Sequence, residues 1–153
     1  MVRTRINKMR KNKTRKNTGI GKSKNKNLEQ DIILTFLQTL NMIKLYHWKT
    51  YSYATHKATD ELYSKLNDHM DSFVEIMLGK NGDRVNLTRV KSISLKDYTS
   101  VSDFKREILK FREFLISLTT NKTMENLANT DLYNVRDEIL GDINQFLYLL
   151  TFK

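Results

Sequence analysis

Apolar residues recur at intervals of three and four in four separate stretches of the chain, and no alternating strand pattern of any length competes with them. The first stretch runs from Leu28 to about Thr50, where Ile33, Phe36, Leu37, Leu40 and Ile43 form a stripe on which His47 also falls. A second helix is predicted from about Thr55 to Leu78, with Leu62, Leu66, Met70, Phe73 and Met77 on one side and Gly79 just past its end as a C-cap. Residues 79–101 are polar and mixed, long enough to cross from one end of a bundle to the other. Phe104, Ile108, Phe111, Leu115 and Leu118 make a third stripe, preceded by Ser100 and Asp103 as a capping box. The last helix starts near Thr130 and Asp131 and carries Leu132, Val135, Ile139, Ile143, Phe146 and Leu150.

Two helices, a long crossover and two more helices is the order of a ferritin-like four-helix bundle, since an up-down bundle needs only short loops. Zero prolines and only five glycines argue against an all-β sandwich, whose many turns draw on both. The absence of cysteine excludes a disulfide framework, a thiolate zinc site and a cysteine nucleophile. Any metal must therefore be held by His, Asp or Glu, and there are three histidines. No stretch approaches the roughly 18 apolar residues of a membrane span, and no apolar segment follows the basic start as in a secretory signal. The expected protein is soluble and intracellular, in nucleoid or cytoplasm, with no membrane partner and with accidental Asn-x-Ser/Thr triplets.

Charge divides the chain. Its 153 residues carry a net +10, but residues 1–27 hold Arg3, Arg5, Lys8, Arg10, Lys11, Lys13, Arg15, Lys16, Lys22, Lys24 and Lys26 with no acid, and the remainder sums to −1. Only Met1, Val2, Ile6, Met9 and Ile20 are apolar in that first segment, too few to offset chain entropy by burial. A disordered basic arm is the expectation, with Gly19 and Gly21 loosening its junction to a bundle over 28–153. Such an arm suits polyphosphate. If about half of its charges met duplex DNA, log affinity against log salt would slope at about −5. A localisation signal, RNA, an anionic membrane or an acidic protein are the other readings. Nucleic acid is favoured because the arm has neither an aromatic nor an amphipathic apolar face.

The second helix carries a polar strip beside its core face. Taking His56 as zero on a helical wheel, Asp60 lies at about 40°, Asp71 at about 60° and Glu75 at about 100°, while the core residues fall between about 240° and 320°. One His and three carboxylates on one strip, with His47 at the end of the preceding helix, offer neutral imidazole and hard oxygen ligands for iron, manganese or zinc. A solvated carboxylate face is the plain alternative.

The string HWKTYSYATHKATDELYSKLNDHMDSFVE resembles the ferroxidase segment of the mini-ferritins called Dps, DNA-binding proteins from starved cells. In that family a His-Trp pair, here His47-Trp48, ends the first helix. A second His follows with an Asp four residues later and an Asp-x-x-x-Glu fifteen residues after it, offsets that His56, Asp60, Asp71 and Glu75 reproduce. DLYNVRDEILGDINQFLYLL looks like the family's last helix, and the resemblance spans residues 28–153 in outline. One departure is the connection: eight residues separate His47 from His56, fewer than is usual in the family, which bears on where His47 sits relative to the carboxylates. The layout is also similar to uncharacterised Dps-like proteins of large DNA viruses, which would place the protein in a virion.

The resemblance implies a hollow shell of about twelve copies, with each iron site between two subunits related by a twofold axis. His47 and His56 would come from one chain, Asp71 and Glu75 from its partner, and these four would act as the catalytic set of a ferroxidase. Asp60 would be a further ligand or would orient a His. Fe(II) would give its electrons to peroxide or oxygen and move inward as mineral, while the arms bind DNA. Trp48 would line the site or simply pack. The alternative from another class is a structural or DNA-packaging virion protein whose metal site is vestigial. His69 is expected as a packing or surface residue, and Tyr46, Tyr51, Tyr53 and Tyr63 as filling for the bundle end or a subunit interface. Asp137, Glu138 and Asp142 are expected on a solvated face or, alternatively, in an acid-lined channel.

Overall fold

The computed structural model describes residues 19–127 and 130–152, with side chains for 28–125 and 130–152. Its helices are α1 (Gly19–Lys49), α2 (Tyr53–Asn81), α3 (Val101–Ser117), a 3-10 turn (Leu118–Thr120), the short α4 (Lys122–Leu127) and α5 (Thr130–Leu149). No strand occurs among the described residues. Residues 1–18 of the basic segment lie outside them. The helix expected from Leu28 begins at Gly19 instead, so Lys22, Lys24 and Lys26 stand on helical backbone. Without a proline to stop it, an established helix extends cheaply, each added residue gaining one hydrogen bond.

The four long helices form a ring in the order α1, α2, α5, α3, each packed on its two neighbours. At mid-height Phe36 meets Phe73 edge-on at 5.5 Å and Phe111 at 6.1 Å. Toward the end where α1 finishes, Phe104 stacks on Tyr46 at 4.0 Å and meets Phe146 at 6.1 Å. The buried stripes of α2, α3 and α5 are those the periodicity predicts, except that Val135 and Leu150 are only half-buried. On α1 the buried face is rotated from the predicted one: Ile32, Ile33, Phe36, Met42, Ile43 and Tyr46 are buried, whereas Leu40 is half-buried and Leu37 is 38% exposed. This helix is apolar over more than half its circumference, so periodicity alone leaves its inward direction open.

Residues 82–100 make the crossover. Near its start the Gln30 amide donates to the Asn86 carbonyl at 2.7 Å, and near its end the Asp97 carboxylate pairs with the Lys49 ammonium. Between those anchors α1 advances about 28 Å at 1.5 Å per residue, so the crossover runs the length of the bundle beside α1. It delivers the chain to α3 at the opposite end. There Glu107, buried on α3, accepts from Lys96 of the crossover at 3.3 Å and from Lys110 at 2.6 Å. Leu87 and Tyr98 pack against the core and hold the strap down. The chain is thus a ferritin-like all-α bundle with its long crossover between the second and third helices.

One predicted cap falls elsewhere and another lacks its side-chain bond. Gly79 lies inside α2, which continues to Asn81 and ends at Gly82, whose φ of 68° is the left-handed conformation that a residue with a Cβ adopts at a cost. Ser100 holds the N-cap position of α3 but makes no side-chain cap bond: its hydroxyl lies 2.6 Å from that of Ser102, and Asp103 pairs with Arg106 at 2.9 Å. An arginine at i+3 competes for the carboxylate that a capping box needs. No described helix is long and apolar enough to cross a membrane.

Candidate metal site

His47 sits in the last turn of α1 and His56 in the first turn of α2, with Thr50, Tyr51 and Ser52 between the helices. Ser52 caps α2 by accepting from the Thr55 backbone N–H at 3.3 Å, and the His56 N–H donates to the Ser52 carbonyl at 2.8 Å. At the other side of the turn the Thr50 N–H donates to the Tyr46 carbonyl at 3.0 Å. These bonds fold the short connection so that the two imidazoles stack, their centroids 3.9 Å apart and their planes 22° from parallel.

The pair is reciprocal. Nδ1 of His47 lies 3.0 Å from the carbonyl oxygen of His56, and Nδ1 of His56 lies 3.0 Å from the carbonyl oxygen of His47. A carbonyl can only accept, so each bond requires the proton on Nδ1, and in a neutral ring Nε2 is then the nitrogen that carries the lone pair. Thr59, fully buried, reinforces this: its hydroxyl has the Thr55 and His56 carbonyls as acceptors at 2.8 and 3.0 Å, leaving its oxygen to accept from His47 Nδ1 at 3.3 Å. Sequence reasoning missed Thr59. Its signal was a polar residue inside the apolar arc of α2, three positions after His56.

Asp60 joins the pair from α2. Its Oδ1 lies 3.8 Å from His47 Nε2 and 3.7 Å from the Lys44 ammonium, itself 4.5 Å from the Tyr63 ring centroid. His47 is buried, His56 half-buried and Asp60 exposed. Asp71 and Glu75 are exposed on the same helix but farther along it. From His56 the helical rise is about 22 Å to Asp71 and about 28 Å to Glu75. A metal holds its ligand atoms at about 2.0–2.6 Å, so this distance is far too great for one chain's residues to share an ion. Among the described residues, no group of three or more His, Asp or Glu is arranged to hold a metal.

The aromatic residues around this end divide into two sets. Tyr46 is buried, and burial pushes its hydroxyl pKa up against an opposing hydrogen bond from Thr50. Tyr63 is half-buried against the core. Trp48, Tyr51 and Tyr53 are exposed, Trp48 at 68% and Tyr51 fully, so within one chain they do not fill the bundle end. His69 lies outside the site and does more than pack. Its Nδ1 is 3.3 Å from Glu138 and its Nε2 3.2 Å from Asp142, joining α2 to α5. Asp137 and Glu138 are exposed, as a solvated face requires, and Asp137 holds the buried Arg136 at 2.7 Å. Asp142 instead turns into the α2–α5 seam, with Lys65 at 3.9 Å.

The fold is an all-α, ferritin-like bundle with an imidazole pair between its first two helices. The chain belongs to the Family of unknown function (DUF5856), whose model matches residues 47–150, and to the Dps family. It is 31% identical over 115 residues to the DNA protection during starvation protein of Helicobacter pylori (strain J99), covering 69% of this chain and 73% of that protein. The family match begins at His47 and takes in His56, Asp60, Asp71 and Glu75. No solved structure matches the chain.

Proposed function

We propose that the protein is a Dps-like, DNA-binding mini-ferritin that binds and oxidises Fe(II) at sites shared between two subunits. The observation that carries this reading is the reciprocal histidine pair, in which each Nδ1 donates to the other residue's carbonyl and each Nε2 is the ring nitrogen available to a metal. His47 and His56 of one subunit supply nitrogen ligands, Asp71 and Glu75 of the other supply carboxylate oxygens, and Asp60 adds a charge beside His47. The exposed Trp48, Tyr51 and Tyr53 support a second subunit here, because an apolar patch at a polar site is surface a partner covers.

Iron is the substrate. Two Fe(II) each give one electron to a hydrogen peroxide molecule, whose O–O bond breaks to leave two hydroxides, and the Fe(III) produced hydrolyses to mineral within the shell. The protein's part is to hold Fe(II) in a mixed imidazole and carboxylate set that favours the ferric charge, with positions left for oxidant. Ferric absorbance after anaerobic addition of Fe(II) and peroxide tests the reading. Oxidation should run well above a protein-free blank and drop to it in the His56→Ala, Asp71→Ala double variant. Wild-type oxidation at the blank rate would leave the bundle as a structural or DNA-packaging protein.

The arm supplies the second half of the function. Removing residues 1–18 takes away eight of the eleven arm charges and leaves α1 whole. Each phosphate that is no longer neutralised takes about 0.9 off the salt slope, so the truncated protein should retain duplex DNA only at low salt while still oxidising Fe(II). Retention equal to that of the full chain would contradict the assignment of DNA to the arm.

A further inference from the structure

The charge of the bundle is not spread evenly over its walls. α2 and α5, packed against each other, carry nine acids against four basic groups, a net −5. The crossover and α3, residues 82–117, carry eight basic groups against five acids, a net +3. The crossover is anchored to α1 at both ends and to α3 through Lys96 and Glu107. It therefore lies over the α1–α3 side of the ring, opposite the acidic α2–α5 side. A bundle that is neutral overall is polarised across its thickness.

The basic wall also differs in how its charges are used. Lys96 and Lys110 are engaged by Glu107, and Arg112 by Glu113. Arg89, Lys91 and Lys105 are exposed and make no ion pair among the described residues. On the opposite wall most cations are tied down: Lys65 to Glu61, Lys80 to Asp131 and Arg136 to Asp137. Unpaired cations on a fixed surface give up little side-chain pairing when they meet a polyanion. The strap that carries Arg89 and Lys91 is already held down by Leu87 and Tyr98, so binding need not first order it.

We infer that the crossover wall is a second binding surface for the phosphate backbone of duplex DNA, separate from the N-terminal arm, with Arg89, Lys91 and Lys105 as the groups that meet phosphate. The inference rests on the DNA-binding reading proposed above. The strap extends along about 28 Å of α1, which is the rise of about eight base pairs at 3.4 Å each. The acidic wall repels the same polyanion and fixes which side of the bundle faces it. The arms, once on DNA, raise the local DNA concentration that this wall meets.

The test uses the full chain. Retardation of a duplex DNA probe is measured across salt for wild type, for the Arg89→Gln, Lys91→Gln, Lys105→Gln triple variant, and for Lys57→Gln on the acidic wall. Removing three cations from phosphate flattens the slope of log affinity against log salt by about 3, so between 50 and 200 mM wild-type affinity falls about forty-fold more than that of the triple variant. Lys57→Gln should leave the slope unchanged. Since all the substituted residues are exposed, unfolding curves matching wild type confirm that the fold is retained. A slope unchanged in the triple variant, with the wild type binding in a salt-sensitive manner, overturns this inference alone. Absence of salt-sensitive binding by wild type overturns it together with the arm reading, and flattening of the slope on duplex RNA but not on DNA overturns the choice of DNA.

Discussion

Three residues, Thr50 to Ser52, decide how the two histidines meet. The spacing of His47, His56, Asp60, Asp71 and Glu75 is legible in the string itself, because ligand offsets on a helix survive in sequence. The stacking is not legible, since it depends on the turn geometry and on backbone carbonyls that every residue possesses. The short connection draws the rings into contact and lets each occupy the other's carbonyl. Thr59 is the residue whose role follows only from the structure. Thr59→Val keeps the shape and removes the oxygen that accepts from His47 Nδ1. Anaerobic Fe(II) titration of that variant should show affinity lowered about tenfold, as for other partners that orient a metal-binding histidine. Unaltered affinity would mean that the His56 carbonyl alone holds the ring.

At the scale of elements, three of the four main helices present the face their periodicity predicts, because their apolar residues occupy a narrow stripe with charges beside it. α1 departs for the opposite reason: Leu34, Leu37, Leu40 and Leu45 continue the apolar surface around the helix, and only its neighbours decide that Ile32, Phe36 and Ile43 turn inward. The misplaced C-cap has a comparable cause. Gly79 directly follows the apolar run Ile76 to Leu78 and Gly82 lies three residues on, and only the backbone shows which takes φ of 68°. The crossover is recognisable as a long polar segment, but not its fastening. Burial alone would push the Glu107 carboxyl up, yet hydrogen bonds and charge from Lys110 and Lys96 outweigh it and hold the group below the usual carboxylate value. A carboxyl that titrates lower folded than unfolded contributes its stability fully above the ordinary Glu value of about 4.3, and loses it as pH falls through the folded value. Glu107→Gln should cost about 1–2 kcal/mol at pH 7. Denaturant unfolding should show the gap from wild type closing toward pH 3, and a gap independent of pH would exclude the carboxylate as the clamp.

Over the whole molecule, a net +10 resolves into a basic segment of +11, and a bundle of −1 whose walls have opposite signs. The arithmetic of the arm can be read from sequence. The polarity of the walls cannot, because it requires knowing that α2 packs on α5 and that the crossover lies over α1 and α3. The same packing separates His47 and His56 from Asp71 and Glu75 within one chain, so the proposed chemistry belongs to an assembly. Complementation between subunits measures this directly. One chain carries His47→Ala and His56→Ala, a second carries Asp71→Ala and Glu75→Ala, and the two are co-expressed and assayed for peroxide-driven Fe(II) oxidation. Each variant assembled alone should be inactive. Each mixed twofold pair then contains one complete site, so random mixing in equal amounts should restore about one quarter of wild-type activity. Mixed assemblies as inactive as either variant alone, with wild type oxidising Fe(II) normally, would contradict a site shared between subunits.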